Sequence, residues 1–505
     1  MAQLSVLSDA RVSLSGLEAH LWESANILRG PVDAADFKTY IFPMLFFKRI
    51  SDVYDDEFAD ALASSDGDRD YATFPENHRF QIPEGCHWRD VRERAENVGQ
   101  ALQHALREIE QANPATLFGI FGDAQWSNKE RFSDALLHDL MDHFAKLPLG
   151  NAAVQTDVLG QAYEYLIKKF ADATNNKAGE FYTPRSVVRL MVNMLDPKEG
   201  DTIYDPACGT GGMLLEATNH VREAGGNVRL LWGKLYGQEK NLTTSSIARM
   251  NLFLHGVEDF QIVRADTLRQ PAFFSGDRLA QFDCVIANPP FSLEKWGEDA
   301  WANDPYGRNF AGTPPSKSGD YAWVQHMITS MAPATGRVAV VLPHGALFRM
   351  GVEGKIRRRI LDEDLLEAVI GLGPNLFYGT GLAACILVFR RRKADDRKGK
   401  VLIVDGSREF RKGRNQNTLE PEHVDRLFDA HQQFTDVPGL AHVADKEEIV
   451  GNDYNLNISL YVAPIQSEQT VSVEEAVKTL KEALNEAYAA DDRLRSLLAE
   501  AGLLA

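Results

Sequence analysis

Among the stretches of this chain, Asn288-Pro289-Pro290-Phe291 has the residue types best suited to binding a ligand and catalysing a reaction. It follows residues 282–287, a short apolar run that is typical of a buried strand. Neither proline can donate a backbone hydrogen bond, and the strand must therefore end before them. An amide, two backbone carbonyls and an aromatic ring then lie at the carboxyl end of a strand, where open α/β sheets bind ligands. A strand that ends in an ordinary polar turn would have the same sequence.

Polar residues are also expected at the ends of three earlier strands. The first strand runs into residues 205–212, Asp-Pro-Ala-Cys-Gly-Thr-Gly-Gly, where the glycines allow the backbone to approach a ligand at the start of a helix. Glu239 ends the second strand, where a carboxylate can bond a ribose diol, and Asp266 follows the third. The loop has neither the Lys-Ser/Thr of a P-loop nor the spacing of a dinucleotide-binding motif. Together the three strand ends predict a nucleoside-like ligand.

Strands and helices alternate in the middle of the chain, which predicts an α/β fold with a mostly parallel sheet. Residues 366–372 and 383–391 are two apolar runs with an irregular link, and they predict an antiparallel pair at the edge of that sheet. A single helix is expected over 346–361. Thr183 precedes Pro184, a pattern that predicts a helix N-cap followed by proline at the first helical position.

Helical patterns dominate both ends of the chain. Residues 1–170 are predicted to form a helical domain, with one helix over 91–112, and such a domain is typically an interaction module. Residues 171–465 are predicted to form the α/β domain. Residues 466–505 hold a long Glu/Ala/Leu-rich helix with little around it to pack on, which indicates a helical tail that binds a partner.

The composition is that of an ordinary globular protein, with 44% hydrophobic and 25% charged residues among 505. A net charge of −18 argues against a free-standing nucleic-acid-binding protein, although local basic patches or a basic partner could supply phosphate contacts. The four cysteines are widely spaced and form no CxxC pair, so neither a disulfide framework nor a metal site is predicted. No apolar run approaches the length of a membrane span, and we expect a cytoplasmic protein without membrane contact.

Five motifs occur in an order that resembles the γ class of N6-adenine DNA methyltransferases. They are Gly-Glu-Phe-Tyr-Thr-Pro-Arg at 179–185, the glycine-rich loop at 205–212, Gln-Glu at 238–239, Ala-Asp-Thr-Leu at 265–268 and Asn-Pro-Pro-Phe at 288–291. The sequence is most similar to the modification (M) subunits of type I restriction–modification systems, from its helical N-terminal domain to about residue 462. The resemblance implies that the α/β domain is a Rossmann-like, S-adenosylmethionine-dependent methyltransferase domain.

The resemblance also implies which residues bind the cofactor, S-adenosylmethionine. Glu239 would take the ribose hydroxyls, Asp205 would help to position the methionine moiety, and Asp266 would lie near the adenine of the cofactor. The full set of expected cofactor-binding residues is Glu180, Phe181, Tyr182, Thr183, Pro184, Arg185, Asp205, Ala207, Thr210, Gly211, Gly212, Glu239 and Asp266.

By the same resemblance, Asn288, Pro289, Pro290 and Phe291 would form the catalytic site. The lone pair of adenine N6 is delocalised into the ring, which makes the amine a poor nucleophile. Hydrogen bonds to the side-chain carbonyl of Asn288 and the backbone carbonyl of Pro289 would localise that lone pair and aim it at the sulfonium methyl group. The base must leave the duplex to react, and Phe291 is the expected stacking partner for the flipped adenine.

Duplex DNA and two other subunits are the partners that the resemblance implies. Two such chains would join one specificity (S) subunit, which recognises the DNA sequence. A restriction (R) subunit would add ATP-dependent cleavage in the full complex. The helical N-terminal domain and the C-terminal tail are the segments expected to contact these subunits.

Three basic stretches could contact DNA phosphates. The first, at 355–359, is more typical of a solvated helix face, and the other two lie at 390–393 and 408–414. Residues 292–319 form a long connection without periodicity. We expect this connection either to order on DNA, with Arg308 and Lys317 as phosphate contacts, or to be a mobile surface loop.

Two other functions remain open from the sequence. Asn-Pro-Pro-aromatic motifs also serve methyltransferases that act on RNA or on a glutamine side chain of a protein, but phenylalanine at 291 and the large helical domain favour DNA adenine. The chain could also be a non-catalytic cofactor-binding or scaffold subunit. The intact Asn288 and the intact glycine-rich loop argue against that reading.

Overall fold

A computed structural model describes residues 13–173, 183–377, 381–414, 416–463 and 473–500. A helical region comes first, an α/β region built on one nine-stranded sheet follows, and a long helix ends the described chain. The predicted α/β fold with a mostly parallel sheet is therefore confirmed. Among these residues, no helix is both long enough and apolar enough to span a membrane.

The helical region buries one core of aromatic and aliphatic side chains. Its helices are α1 (Leu14–Leu28), α2 (Phe37–Ser64), α3 (Arg69–Ala72), α4 (Trp88–Arg92), α5 (Val98–Ala112), α6 (Asp134–Ala145) and α7 (Thr156–Ala173). The helix predicted over 91–112 is wrong in its first part, because Asn97 adopts a left-handed φ of 58° and α5 begins only after it. The break allows the N–H of Val98 to donate to Asp134 Oδ1 at 2.9 Å, which joins α5 to α6.

The α/β region alternates strands with helices. Its strands are β1 (Ile203–Asp205), β2 (Leu235–Glu239), β3 (Gln261–Arg264), β4 (Phe274–Ser275), β5 (Arg278–Leu279), β6 (Cys284–Ala287), β7 (Arg337–Pro343), β8 (Leu366–Gly371), β9 (Ala384–Arg390), β10 (Lys400–Val404) and β11 (Ala441–Asp445). Its helices are α8 (Arg185–Leu195), α9 (Gly212–Glu223), α10 (Leu242–Leu254), α11 (Glu298–Trp301), α12 (Asp320–Thr329), α13 (Gly345–Phe348), α14 (Val352–Asp362), α15 (Pro421–Gln433) and α16 (Lys446–Gly451), and α17 (Val473–Glu500) comes after the region. The single helix predicted over 346–361 is interrupted at 349–351, where Gly351 has a φ of 70°.

The nine strands lie in the order β11-β10-β8-β9-β7-β6-β1-β2-β3. Seven of them are parallel to one another, whereas β9 and β11 run in the opposite direction. The predicted antiparallel pair, β8 and β9, is confirmed, but its predicted place at the sheet edge is wrong because β10 and β11 lie beyond β8. Every residue of β8 is buried, which requires cover on both faces and neighbours on both sides.

β6 divides the carboxyl edge of the sheet into two halves. On one side of it, β1, β2 and β3 end in the glycine-rich loop, in Glu239 and just before Asp266. On the other side lie the ends of β7, β8 and β10 and the start of β9. Asn288 follows β6 directly, so it lies at the boundary between the two halves.

α10 joins the helical region to the sheet. Several of its apolar side chains belong to the core of the helical region. The hydroxyl of Tyr163 in α7 donates to the carbonyl of Ile247 at 3.3 Å, and the hydroxyl of Ser246 donates to the carbonyl of Gly119 at 3.1 Å. Because α10 begins shortly after Glu239, the helical region braces the half of the edge that carries the glycine-rich loop.

A buried ion cluster lies at the opposite, amino edge of the sheet. The side chain of Glu367 in β8 is 3% exposed, and its carboxylate lies 2.9 Å from Arg390 Nε, 3.3 Å from Arg397 Nη1 and 3.4 Å from His431 Nε2. Burial alone would raise the pKa of Glu367. The hydrogen bond to His431 and the positive charge of Arg390 outweigh burial and lower this pKa to about 2.

Replacing Glu367 with Gln should lower the free energy of unfolding by about 3 kcal/mol or more at neutral pH, because Arg390 and Arg397 would stay buried without their counter-charge. The native pKa lies below its ordinary value of 4.5, so the stabilisation is complete above that pH and is lost as the pH falls towards 2. Urea unfolding at pH 7 and pH 3 should therefore show a smaller difference between variant and parent at pH 3.

Glu363→Gln is the matched control for this substitution. It removes the partly exposed ion pair of Glu363 with Arg359, 2.8 Å long, and should cost less than about 1 kcal/mol. Equal losses for the two variants would contradict a special role of the buried cluster.

Candidate active site

Asn288 comes directly after β6, and its side chain is half-buried. Its Nδ2 donates to the hydroxyl of Thr183 at 2.9 Å. The other end of the amide, Oδ1, is buried, and no group within the described chain donates to it. A buried acceptor without a donor costs roughly 1–3 kcal/mol, so such an atom calls for an explanation. A ligand that brings its own N–H or O–H group is one.

Thr183 lies just before α8 and has a different role from the one predicted. Pro184 is the N-cap of α8, which begins at Arg185, so the prediction that Thr183 caps this helix is wrong. The Thr183 hydroxyl instead reaches Asn288. Arg185 pairs with Glu216 of α9 at 3.3 Å, and this ion pair fixes the start of α8 beside the helix that follows the glycine-rich loop.

The two prolines and Phe291 form an irregular turn after β6. Pro289 is buried, whereas Pro290 and Phe291 are half-buried. The ring of Phe291 meets the ring of Phe377 edge-on, with centroids 6.0 Å apart. The next residue, Ser292, has a left-handed φ of 49°. This conformation is uncommon for a residue other than glycine and persists only where the surroundings hold it.

Asp320, at the start of α12, holds this turn in place, and the sequence did not single it out. Its Oδ1 accepts the N–H of Ser292 at 2.8 Å, and its Oδ2 binds the guanidinium of Arg349. Arg349 also lies 3.2 Å from Glu353 and donates to the hydroxyl of Ser318 at 3.1 Å. Asp320 is 28 residues from Ser292 and 29 from Arg349 in sequence, so no local spacing indicates this network.

The glycine-rich loop 205–212 turns from β1 into α9. Gly211 has a φ of 82°, a conformation that other residues rarely adopt. The side chain of Asn251 in α10 donates to the carbonyl of Thr210 at 2.9 Å, and it fixes the loop from the side of α10. Gly212 begins α9, so the end of the loop lies at the positive pole of that helix.

Glu239 and Asp266 lie at the carboxyl ends of β2 and β3, as predicted. Glu239 Oε2 accepts the N–H of Gly209 at 3.1 Å, and its Oε1 accepts the N–H of Asn241 at 2.8 Å. A carboxylate has about four acceptor sites, so it can bind hydroxyl groups in addition to these amides. Asp266 pairs with Lys240 at 2.9 Å, which links the ends of the two strands.

Asp205 is almost fully buried at the end of β1, with 1% of its surface exposed. Burial raises the pKa of Asp205 to about 8. The N–H of Ala207, which donates to Asp205 Oδ1 at 3.0 Å, opposes this rise, and the negative charge of Glu239 adds to it. A buried acid with so high a pKa is typical of a functional site, where a ligand with a positive or donor group can satisfy it.

A small tryptophan core fills the space between the glycine-rich loop and the turn after β6. Trp296 and Trp301 are buried there with ring centroids 5.1 Å apart, and Ala207 and Leu293 pack against this core. Both tryptophans belong to residues 292–319. This segment therefore folds against the α/β region, and neither a mobile loop nor a loop that awaits DNA describes it.

Arg308 is not a phosphate contact, contrary to the prediction. It is 3% exposed, pairs with Asp304 at 2.5 Å and donates to the carbonyl of Thr267 at 3.0 Å. The hydroxyl of Thr267 donates in turn to the carbonyl of Pro206 at 2.6 Å, so Arg308 supports the glycine-rich loop through one intermediate residue. Lys317, the other predicted contact, is exposed.

Three of the predicted cofactor-binding residues, Glu180, Phe181 and Tyr182, lie outside the described residues. The structure brings the other ten to the carboxyl edge of the sheet, on β1, β2, β3 and the start of α8 and α9. In the described part of the chain, no three His, Cys, Asp or Glu side chains are grouped so that they could hold a metal ion. All four cysteines are buried free thiols.

The sheet is open and mostly parallel, and an Asn-Pro-Pro-Phe turn follows one of its central strands at the carboxyl edge. This is the architecture of a class I methyltransferase. Comparison with protein families defines the class further. The N-6 DNA Methylase family matches residues 154–470, and the HsdM N-terminal domain family matches residues 17–144. The chain belongs to the N-6 DNA methylase family, among the methylase subunits of type I restriction–modification systems.

Individual relatives match between two thirds and nearly all of the chain. The type I restriction enzyme MjaVII methylase subunit of Methanocaldococcus jannaschii is 33% identical, over 94% of this chain and 83% of that protein. The HindI methylase subunit of Haemophilus influenzae is 33% identical over 67% of this chain and 76% of that protein. A solved methyltransferase subunit of a type I system from Streptococcus thermophilus matches with a TM-score of 0.76 and 31% identity, covering 90% of this chain and 100% of that one.

Replacing Asp205 with Asn should stabilise the ligand-free protein near neutral pH. Because the pKa of Asp205 is raised from 3.8 to about 8, the acid disfavours folding above about pH 4, by an amount that grows until about pH 8. We expect the unfolding midpoint at pH 7.5 to rise, by roughly 2–4 °C for each kcal/mol gained. At pH 4 the gain should vanish.

Asp277→Asn is the control for this substitution, because Asp277 is exposed in the turn between β4 and β5. Its unfolding midpoint should equal that of the parent at both pH values. A lower midpoint for Asp205→Asn at pH 7.5 would contradict the raised pKa of Asp205.

Proposed function

We propose that this chain transfers a methyl group from S-adenosylmethionine to N6 of an adenine flipped out of duplex DNA. The buried Oδ1 of Asn288, which has no donor within the described chain, is the observation on which the proposal rests. The exocyclic amine of adenine has the N–H group that this acceptor lacks. Membership of the type I methylase family favours DNA over RNA or a protein glutamine as the substrate.

S-adenosylmethionine, when bound, supplies an electrophilic methyl group on a sulfonium sulfur. The residues beside the glycine-rich loop fit the parts of this molecule. Asp205 is a buried acid that a positively charged amino group would satisfy, and the methionine moiety has one. Glu239 would accept the ribose hydroxyls, and Asp266 would lie near the adenine. The other residues proposed to line this site are Glu180, Phe181, Tyr182, Thr183, Pro184, Arg185, Ala207, Thr210, Gly211 and Gly212.

Asn288 and Pro289 would prepare the target amine. Its two N–H groups would donate to Asn288 Oδ1 and to the carbonyl of Pro289, which draws the nitrogen lone pair out of the ring and aims it at the methyl group. The amine would then form its new bond to the methyl carbon as the carbon–sulfur bond breaks and sulfur keeps the electron pair, and the extra proton of the amine would pass to water. Holding both reactants in near-attack geometry contributes about 7–11 kcal/mol in the best cases. Pro290 follows without an N–H of its own and keeps the turn rigid.

Thr183 would be a positioning residue for Asn288. It accepts the hydrogen of Asn288 Nδ2 at 2.9 Å, so the carbonyl end of the amide is the one left for the adenine. An amide turned by 180° would present its own N–H groups to the amine, and two donors would then face each other. This role comes in addition to the cofactor contact that the sequence predicts for Thr183.

Phe291 would stack on the flipped adenine. Its ring is half-buried and is supported edge-on by Phe377. Stacking of a base on an aromatic ring contributes roughly 1–3 kcal/mol. That energy offsets part of the cost of a few kcal/mol for removing the base from the duplex.

The helical ends of the chain would bind the other subunits of the complex. α17 exposes a stripe of large apolar side chains, each between 43% and 66% exposed: Val477, Leu480, Leu484, Tyr488, Leu494 and Leu497. Such a stripe on a long helix is typical of packing against a helix of another chain. We assign α17 and the helical region to a specificity subunit, with two methylase chains for each, and to a restriction subunit in the complete assembly.

Transfer of a labelled methyl group to unmethylated duplex DNA tests this function. The chain, co-expressed with a specificity subunit, should produce N6-methyladenine, identified by mass spectrometry after nuclease digestion. Asn288→Ala should slow single-turnover transfer by at least about 10²-fold, as does the loss of one preorganised polar group at other active sites. Binding of S-adenosylmethionine should change little, because Asn288 is not among the proposed cofactor contacts and the variant loses, besides the acceptor for the adenine amine, only its hydrogen bond to Thr183.

Asn219→Ala is the matched control, because it removes an amide of the same size from the surface of α9, about two turns beyond the glycine-rich loop. It should leave the transfer rate unchanged. Transfer by Asn288→Ala at the parent rate would show that another group prepares the amine. A methyl group found on RNA or on a protein glutamine, with none on DNA, would replace the proposed substrate.

A further inference from the structure

The first basic stretch of the sequence is occupied by contacts within the protein. Arg357 is 2% exposed and donates to three backbone carbonyls. Arg358 lies 3.6 Å from Asp362, and Arg359 lies 2.8 Å from Glu363, each one turn further along α14. These three guanidinium groups stabilise the fold and its surface, and their charges are already compensated.

The second basic stretch is occupied in the same way. Arg390 pairs with Glu367 at 2.9 Å, Lys393 pairs with Asp364 at 2.5 Å, and Arg391 donates to a backbone carbonyl at 2.6 Å. These three side chains lie at or just after the C-terminal end of β9, which is at the amino edge of the sheet because β9 is antiparallel to β7, and hence away from Asn288. Structural contacts thus explain most of the charges in these two stretches.

The third stretch, on the loop 405–418 after β10, differs from the other two. Arg408, Lys412 and Arg414 are exposed, and no acceptor among residues 13–173, 183–377, 381–414, 416–463 and 473–500 binds their side chains. Only Arg411 is compensated, by Glu420 at 2.6 Å. Three positive charges without an ion-pair partner in the described chain therefore fall within residues 408–414 of one loop, on a chain whose net charge is −18.

Hydrogen bonds hold this loop next to the proposed base-stacking site. The side chains of Gln416 and Asn417 donate to backbone carbonyls within 374–376, at 2.6 and 2.8 Å. The next residue, Phe377, meets the ring of Phe291. β10 is parallel to β8 and hence to β6, so the loop and the end of β6 lie at the same edge of the sheet. The loop is on the side of β6 away from the glycine-rich loop.

We infer that Arg408, Lys412 and Arg414 form a phosphate-binding surface for the DNA strand that carries the flipped adenine. The inference rests on the proposed function, because it takes Phe291 as the site of the flipped base. Guanidinium and ammonium groups are the side chains that bind phosphate best. Flipping rotates a nucleotide about its own backbone, so the phosphates on either side must be held while the base is out. Contacts of this kind position the duplex and do not read its sequence.

The salt dependence of DNA binding tests this surface. The full chain, purified with a co-expressed specificity subunit, is titrated into a labelled, unmethylated duplex at several salt concentrations, with fluorescence anisotropy as the readout. Each lost phosphate contact should reduce the slope of log affinity against log salt by about 0.9. Replacing Arg408, Lys412 and Arg414 together with Ala should therefore weaken binding at least about tenfold near 0.1 M salt. The unfolding midpoint and the affinity for S-adenosylmethionine should not change.

Arg392→Ala is the control, because Arg392 is exposed after the end of β9, at the opposite edge of the sheet. Its salt slope should equal that of the parent. A parent-like slope and affinity in the triple variant would overturn the inference, even if the parent methylates adenine. If the salt slope falls only in the triple variant and the parent transfers no methyl group, the phosphate-binding surface is upheld and the proposed function is overturned. A parent complex that binds no duplex would overturn both.

Discussion

The proposed function depends on one constraint: the amide oxygen of Asn288, which is buried and has no donor within the described chain, would have to stay so until a substrate amine reaches it. A hydrogen bond from the protein itself would compete with the amine. The sequence after Asn288 removes the nearest backbone donors, since neither Pro289 nor Pro290 has an N–H group. Thr183 binds the other end of the amide, so that the oxygen is the end left open.

Three features at the carboxyl edge of the sheet lower the stability of the protein. Ser292 keeps a left-handed backbone, Asp205 is a buried acid with a raised pKa, and Asn288 Oδ1 lacks a donor. Each costs stability in the ligand-free protein, and under the proposed function the cofactor would satisfy Asp205 and the target amine would satisfy Asn288 Oδ1. Stabilising contacts surround them, such as the Asp320 network, and the ion cluster of Glu367 lies at the opposite edge of the sheet. The carboxyl edge therefore holds both the unfavourable groups and the contacts that fix them, whereas the ion cluster stabilises the amino edge.

The features that the sequence predicted well are those that depend on local chemistry. Two prolines end a strand wherever they occur, and glycines and acidic residues at strand ends converge because parallel strands share an edge. The position of the β8–β9 pair could not be predicted, because strand order is set by contacts between distant segments. The role of Asp320 could not be predicted for the same reason, because its partners Ser292 and Arg349 are 28 and 29 residues away in sequence. The burial of Arg308 could not be predicted either, because Asp304 and Arg308 lie outside any helix, where a four-residue spacing does not by itself bring two side chains together.

The role of Thr183 shows that a sequence motif does not determine which group a side chain binds. A Thr-Pro pair before a helix predicts an N-cap, but the same hydroxyl can bind any group that the fold brings near it. Here the fold brings Asn288, whose place at the end of β6 is itself set by the prolines that follow. The site is therefore assembled from two motifs that are far apart in sequence and that depend on each other.

A double-mutant cycle between Thr183 and Asn288 tests this dependence most directly. Single-turnover methyl transfer is measured at saturating S-adenosylmethionine for Thr183→Val, Asn288→Ala and the double variant, with Thr183→Ser, which keeps the hydroxyl, as the control. If Thr183 acts through Asn288, the double variant should be no slower than Asn288→Ala, and Thr183→Ser should stay close to the parent. Rate losses that multiply in the double variant would show that the two residues act independently, and would contradict the account.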